Sequence, residues 1–522
     1  MSGIGNSFKL ISASGESHID GILTGRAWAD STIKFSFPTS SSEYSSPYYD
    51  SEPTTGFGAI SALQQTAALF ALDADSGPAA SYGFSVEGFT TTSFEYTTDA
   101  KAHVRLANSD VPSTAYAFLP GPNYDEAGDV WFGPNYNFGN AQVGNYQYHT
   151  LIHEIGHALG LDHSHEGSVE FPALSAQWDH IAYTVMSYRS YESAPLTGYT
   201  YEIYGAPQTW MMLDIAALQE MYGADFTTNS GDTVYKWDPN SGDTLIDGQV
   251  AIDAVDSNIF ATVWDGDGND TYDLSAYTTS LNIDLAPGAS STFSSAQQAY
   301  LGNGNRADNI YNALQHNGDA RSLIENAIGG TGNDVISGNT ADNVLTGGEG
   351  NDTLTGLDGN DTLIGGEGMD SLFGGDGNDT FVYVGGRDLI SAGGGVDTLD
   401  ASQINTTTWL NLNNPSSQFK VNDGGWQTRG DVSGVENFIS GSGDDYFYGD
   451  ANANVFNGGD GNDLFNGGAN EDTFILGGVF ADYTFSGSSS NAVITGTSGI
   501  DTLIDVEFVD IGGVIYEMDF LV

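Results

Sequence analysis

The chain has no cysteine in 522 residues, so neither disulfides nor thiol chemistry contribute to it. It is almost as poor in positive charge. Only 12 residues are Lys or Arg against 69 Asp or Glu, a formal net charge of −57, yet charged residues make up just 16% of the total. Average proteins carry about 25%, so the imbalance reflects missing bases more than abundant acids. Such a chain repels nucleic acid and anionic lipid, and neither is expected as a partner. No apolar run is long enough to span a bilayer, and the opening MSGIGNSFKL lacks the basic and hydrophobic regions of a signal peptide. Membrane insertion is therefore not expected. The length allows two domains with ample core.

Against this background one segment stands out, His153-Glu154-Ile155-Gly156-His157-Ala158-Leu159-Gly160-Leu161-Asp162-His163. It spells H-E-x-x-H-x-x-G-x-x-H. On a helix, His153 and His157 project from one face and can meet a single zinc ion. Gly160 can leave the helix with φ > 0 and swing the chain back to deliver His163 as third ligand. Three histidines leave the fourth position open to water, a catalytic rather than a structural arrangement. Glu154 follows the first ligand and is placed to act as general base on that water. His149 and His165 flank the motif off its spacing and are read as surface residues or as residues behind the ligands. His18, His103, His180 and His316 have no ligand spacing.

A nine-residue period fills the second half of the chain. GGTGNDVIS, GNTADNVLT, GGEGNDTLT, GLDGNDTLI, GGEGMDSLF and GGDGNDTFV run from Gly329 to Val382, and SGSGDDYFY, GDANANVFN, GGDGNDLFN and GGANEDTFI from Ser440 to Ile475. The unit is G-G-x-G-x-D-x-U-x, with U a large apolar residue. Its glycines permit tight turns with converging carbonyls, and the aspartate adds a hard anionic oxygen suited to Ca²⁺. Two units make one turn of a parallel β-roll, with the apolar side chain pointing inward. Position six is Asp334, Asp352, Asp361, Asp370 and Asp379 in the first tract and Asp445, Asp463 and Asp472 in the second. Asn343 and Asn454 replace the aspartate in two units, where calcium sites should be weaker or absent.

Tyr183-Thr184-Val185-Met186-Ser187-Tyr188 is similar to the Met-turn of the metzincin zinc proteases. That resemblance implies Met186 as an apolar floor beneath the imidazoles. It also implies Tyr188 as a further, displaceable zinc ligand that can donate to a developing oxyanion. Zinc motif, tyrosine Met-turn and RTX-type repeats together resemble the serralysin family of secreted bacterial proteases. The resemblance extends to His18-Ile19-Asp20-Gly21-Ile22-Leu23, Tyr116-Ala117-Phe118-Leu119-Pro120, Gly128-Asp129-Val130-Trp131-Phe132 and Leu213-Asp214-Ile215-Ala216-Ala217-Leu218-Gln219. It implies further calcium ligands at Asn229, Gly231, Thr233, Asp265, Asp267, Gly268, Asp270, Leu323 and Glu325. Asn229 stands where an arginine is usual and Asp267 where a glycine is usual. The terminal Asp519-Phe520-Leu521-Val522 is similar to the family's type I secretion signal.

The expected fold is an α+β metzincin-type catalytic domain followed by an all-β parallel β-roll with a β-rich C-terminal cap. The first part should hold a twisted, mostly parallel sheet and two long helices. One of these is an amphipathic helix within 59–72 with Ile60, Leu63, Ala67 and Phe70 on its buried face. The expected divisions are 1–17, a short propeptide or loose arm; 18–225, catalytic; and 226–522, the calcium-binding roll with the secretion signal. The expected function is that of a secreted, extracellular zinc endopeptidase acting on broad protein or peptide substrates. It would carry one catalytic zinc and several structural calcium ions. It would be a monomer, with the type I secretion apparatus and a protein inhibitor as further partners. The alternative is a calcium-dependent RTX adhesin or surface-layer module with an inactive zinc site. Extended substrate is expected along a sheet edge near 116–119.

Overall fold

Short runs of alternating or wholly apolar residues build the first sheet. The computed structural model describes residues 6–46, 48, 51–74, 83–122, 125–414 and 418–522. Five of its strands are β1 (Thr32–Ser36), β2 (Ser93–Tyr96), β3 (Val104–Asn108), β4 (Ala115–Ala117) and β5 (Asp129–Phe132), in the order β2-β1-β3-β5-β4. Among these five, pairing is parallel except for β4, which runs antiparallel to β5 at the edge; the short sixth strand Gly58–Ala59 also pairs antiparallel, with β3. Strands β3 and β5 are buried almost end to end, as central strands covered on both faces should be.

Among the described residues, three helices of more than one turn accompany this sheet: α1 (Ala62–Leu72), α2 (Tyr146–Leu159) and α3 (Met212–Tyr222). Helix α1 begins at a reciprocal cap between Ser61 and Gln64. Its buried face differs from the expected one. Ala67 and Phe70 are buried, but Leu63 is exposed while Gln64, Ala68, Ala71 and Leu72 turn inward. The cap explains the shift, because it draws Gln64 back against the helix start. Residues 6–17 are not a loose arm, since Phe8–Leu10 pairs antiparallel with Arg26–Trp28. Residues 1–5 lie outside the described residues.

The chain divides into two compact units, residues up to 272 with 287–324, and 273–286 with 325–522. This division does not fall at 225/226. Residues after 225 are tied into the first unit by polar contacts, with Thr262 N donating to Thr209 Oγ1 (2.9 Å) and Gln208 Nε2 to the Asn258 carbonyl (2.9 Å).

In the second unit the nine-residue period becomes a roll. Val344–Glu349 pairs parallel with Thr362–Glu367, and Thr353–Asp358 with Ser371–Asp376, each residue facing the one 18 further on. Position-eight side chains Leu345, Leu354, Leu363 and Leu372 are buried between the two sheets. Gly368 (φ +148) shows why the turns need glycine, because a Cβ there would lie 1.5 Å from the Gly350 carbonyl oxygen. Farther along, the core becomes aromatic, with Phe438 stacked on Phe456 (5.7 Å) and Phe447 on Phe465 (5.4 Å). Antiparallel strands Thr484–Ser488 and Asn491–Thr495 follow Ile475 as the expected cap. Ile500–Ile504 then returns to the roll, parallel to Leu464–Asn466.

Candidate metal centres

Helix α2 opens with the Asn145 side chain accepting from Tyr148 N (2.8 Å) and ends at Gly160, where φ is +116. A side chain at Gly160 would meet the Arg26 carbonyl oxygen at 2.0 Å, so glycine is required by space as well as by angle. The turn returns His163 to the helix face. His157 Nε2 and His163 Nε2 lie 3.1 Å apart, and His153, His157 and His163 offer nitrogens within 4.8 Å of one another. Gly156, inside the motif, leaves room for Met186, whose Sδ would be 2.7 Å from an added Cβ.

Backbone carbonyls decide the tautomers. His153 Nδ1 is 2.8 Å from Val185 O and His157 Nδ1 is 2.9 Å from Leu161 O. A carbonyl can only accept, so these nitrogens carry the protons and both Nε2 atoms present lone pairs. Burial lowers the affinity of His153, His157 and His163 for a second proton, that of His157 to about 3. Two neutral imidazoles facing each other at 3.1 Å fit ligands of one tetrahedral zinc, which sit roughly 3.3 Å apart when each bond is ~2.0–2.1 Å. Tyr188 Oη lies 2.8 Å from His163 Nε2, on the same side as the convergence. Burial, then the charge of Glu154, pushes its phenol up to about 12, so it remains a donor. Glu154 is 7% exposed, and burial alone pushes its carboxyl up to about 8. A cation beside it would favour the ionised, proton-accepting form.

The supports of this site had no motif to announce them. Asp214 on α3 accepts from Thr184 Oγ1 (2.6 Å), Val185 N (2.8 Å) and Met211 N (2.9 Å), pinning the Met186 turn. Asp179 accepts from Ser164 Oγ and Ser187 Oγ, both at 2.6 Å, joining the residue after His163 to the residue before Tyr188. His149 is fully buried and so cannot be a surface residue; both its nitrogens are hydrogen-bonded. His165 packs on Tyr188 with ring centroids 4.9 Å apart.

A first acidic cluster gathers Asn229, Gly231, Thr233, Asp265, Asp267, Gly268 and Asp270. Thr233 Oγ1 donates to the carbonyls of Asn229 (3.2 Å) and Gly231 (2.9 Å), while Thr233 N donates to Asp270 Oδ1 (2.8 Å). Asp267 N reaches Asp265 Oδ1, and Gly268 packs against Gly231 O and Asp270 Oδ1. Burial, then the neighbouring Asp270, pushes the Asp265 carboxyl well above the usual carboxylate range, as expected of carboxylates crowded without a countercharge. Leu323 and Glu325 are both buried, and the Glu325 carbonyl accepts from Asn343 Nδ2 (2.8 Å).

The roll carries a ladder of aspartates. Within each tract a position-six Oδ1 accepts the backbone N–H of the residue 18 earlier, as in Asp334 to Asp352 (2.7 Å) and Asp361 to Asp379 (2.9 Å), while Asp334 and Asp445 accept instead from Leu281 N and Thr408 N. The second oxygens of Asp352, Asp361, Asp370, Asp379, Asp397, Asp445, Asp463 and Asp472 are buried without any hydrogen-bond partner. Buried anionic oxygens beside glycine carbonyls fit calcium. Asp334 differs, because its Oδ2 accepts from Gly330 N. Asn343 and Asn454 are satisfied internally, their Nδ2 atoms donating to Glu325 O and Glu436 O. The ladder also reaches residues that the glycine pattern missed. Asp388, Asp397 and Asp501 take the same place, and Glu436 and Glu507 accept from Asp397 N and Asp472 N where units are interrupted.

These carboxyls titrate abnormally when no calcium is bound. Burial, opposed by the backbone N–H bonds and reinforced by neighbouring aspartates, raises Asp352, Asp361 and Asp388 to about 7 and Asp463 to about 8. The folded, calcium-free roll thus holds protons more tightly than the unfolded chain, whose carboxyls titrate near ~4. Its stability is fullest in acid and is lost as pH rises through about 7 to 8. In excess EGTA, the β-type circular dichroism should be stronger near about pH 4.5 than near about pH 8. The reverse order would show that the aspartates do not control the roll.

Comparisons with known proteins agree with this geometry. The matrixin family model matches residues 92–184, the peptidase M10 serralysin C-terminal model 224–392, and the RTX calcium-binding nonapeptide repeat 384–403 and 439–474. The class is therefore a matrixin-type domain followed by RTX repeats. Within that class the chain resembles the serralysins. It is 38% identical over 255 residues to a serralysin of Proteus mirabilis, covering 46% of this chain and 47% of that one. It is 38% identical over 242 residues to serralysin G of Dickeya chrysanthemi, 44% of each chain. It is 30% identical over 321 residues to the metallopeptidase AprA of Pseudomonas marginalis, 59% and 60%. The chain spans about half the length of the curated relatives it matches. The matches imply a catalytic zinc and several calcium ions. No helix among the described residues is long and apolar enough to cross a membrane.

Proposed function

We propose that the chain is a secreted zinc endopeptidase with a catalytic region at 18–225 and a calcium-binding region at 226–522. The observation that carries this reading is the convergence of three neutral imidazoles beside a buried glutamate. His153, His157 and His163 would hold the metal, with Tyr188 as a displaceable fourth group. A zinc ion held there would supply Lewis-acid chemistry, lowering the pKa of water and polarising the scissile carbonyl. Glu154 takes the proton of the attacking water on its carboxylate and returns it to the leaving amine. Tyr188 Oη donates to the oxyanion as it develops.

Strand β4 supports a mode of substrate binding. It lies at the sheet edge, and its ladder with β5 continues through Phe118 N to Asp129 O (2.9 Å). An extended peptide added to its free side would be held by main-chain pairing, which favours broad protein substrates. Export by a type I apparatus belongs to the same reading, and a monomer open to a protein inhibitor is the simplest assembly. The adhesin alternative leaves the tautomer-controlled histidines without a purpose. Casein hydrolysis that is sensitive to a zinc chelator tests the reading, and its absence in a zinc-loaded chain would favour the adhesin.

Tyr188→Phe separates the two roles given to the phenol. If Oη acts on the oxyanion, kcat should fall by about 10²–10³ with KM little changed. Unchanged kcat would leave Tyr188 a packing residue.

A further inference from the structure

Three histidines of α2, not two, share one face: His149, His153 and His157 follow at intervals of four. Helix periodicity puts His149 beside the motif's first two histidines although it lies outside the motif itself, and its partners lie elsewhere. Its ring is fully buried, with Nε2 3.2 Å from Val185 O and Nδ1 2.9 Å from Tyr201 Oη. Val185 O is also the acceptor for His153 Nδ1 at 2.8 Å. One backbone carbonyl, in the turn before Met186, thus receives two imidazoles.

The proton positions follow from these partners. Val185 O accepts from both rings, so His153 is protonated at Nδ1 and His149 at Nε2. His149 Nδ1 is then a lone pair and accepts from the Tyr201 hydroxyl. The chain of bonds runs from Tyr201 through His149 to Val185 O, and from His153 to the same oxygen. It leaves His153 Nε2 bare on the side of His157 and His163. Tyr199 braces the arrangement. Its ring lies 4.8 Å from His149 and 5.1 Å from Tyr201, and its Oη donates to Ser187 O (2.9 Å). Val185 is held from its other side as well, with its N–H donated to Asp214.

We infer that His149 is a positioning residue of the zinc site, which fixes the Val185 carbonyl and through it the tautomer and angle of His153. Tyr201 sets the tautomer of His149 in turn. The inference rests on the zinc reading proposed above and adds to it residues that no ligand motif contains. It also distinguishes holding from filling. A side chain that only filled the space would need bulk, whereas this role needs an N–H aimed at Val185 O.

The test measures zinc affinity by chelator competition, and the cobalt d–d spectrum after metal exchange, on the calcium-loaded full chain. His149→Leu keeps bulk and removes the donor; His149→Gln keeps an N–H able to reach Val185 O; Tyr201→Phe removes one hydroxyl. Loss of an orienting partner typically weakens metal binding about 10–100-fold, and that loss, with altered cobalt bands, is expected for His149→Leu. His149→Gln should recover most of the affinity and a spectrum close to that of the unmodified chain. Tyr201→Phe should fall between them. Wild-type affinity and spectrum in His149→Leu would overturn the inference, as would a Gln variant as weak as the Leu variant. Should His149→Leu not fold, an unchanged affinity and spectrum in Tyr201→Phe would overturn it equally. An unmodified chain that binds no zinc would instead remove the zinc reading itself.

Discussion

Glu154→Gln is expected to keep its zinc and to lose peptide hydrolysis by about 10²–10⁴, the range over which a positioned acid–base group acts. The three imidazole nitrogens converge without help from Glu154, so metal content should not depend on its charge. Glutamine matches its size in a site where the side chain is buried, so packing should survive. What disappears is the carboxylate that, on the proposed reading, takes a proton from water and passes it on. His157→Ala should lose both metal and activity, because His157 supplies one of the two nitrogens that face each other at 3.1 Å. Metal analysis alongside a casein assay separates these outcomes. Zinc lost from Glu154→Gln would mean that the carboxylate is a ligand and the division of labour is wrong.

Removing calcium should unfold the roll at neutral pH. Eight buried carboxylate oxygens in residues 352–472 have no hydrogen-bond partner. Leaving such charges uncompensated in a protein interior is strongly unfavourable. The opposing force is small, because each nine-residue unit buries essentially one apolar side chain, as Leu345, Leu354 and Leu363 illustrate. Glycine-rich turns add a high entropy of the unfolded chain. Calcium binds only the folded arrangement and so stabilises it in proportion to its concentration. Extracellular modules bind at about 10⁻⁴–10⁻³ M, far above cytosolic levels, which would keep the repeats unfolded before export. The full chain in EGTA should lose most of its β-type circular dichroism and regain it in millimolar calcium. Stacked phenylalanines between Phe438 and Phe474 should make that segment the last to melt. A β spectrum indifferent to both EGTA and calcium would defeat the switch even if the peptidase reading stood.

Much of the chemistry was legible because it is local. The three histidines and Glu154 fall within eleven residues, and helix geometry converts the spacing of His153 and His157 directly into a shared face. The roll was legible wherever glycines marked the turns. It ceased to be so at Asp388, Asp397 and Asp501, whose units YVGGRDLIS, AGGGVDTLD and GTSGIDTLI keep the aspartate and the apolar position but break the leading glycine pair. The roles of Asp179 and Asp214 were invisible because the partners Ser187, Ser164, Val185 and Thr184 lie 8 to 30 residues away, and a buried aspartate has no periodic signature. His149 was visible as a residue, but its role depends on a carbonyl 36 positions later. The boundary at 225/226 followed motif positions, whereas the compact units follow hydrogen bonds such as that from Thr262 to Thr209.

The central claim is that this metal-binding site hydrolyses peptide bonds, and one titration tests it most directly. Calcium is kept saturating so that the roll stays folded, zinc is removed with a selective chelator, and casein hydrolysis is followed as zinc is returned. The account predicts hydrolysis that disappears with the metal and returns in full at about one zinc per chain, the count set by a single three-histidine site. A chain that takes up that zinc and leaves casein intact, or one that cleaves casein without it, would contradict the account.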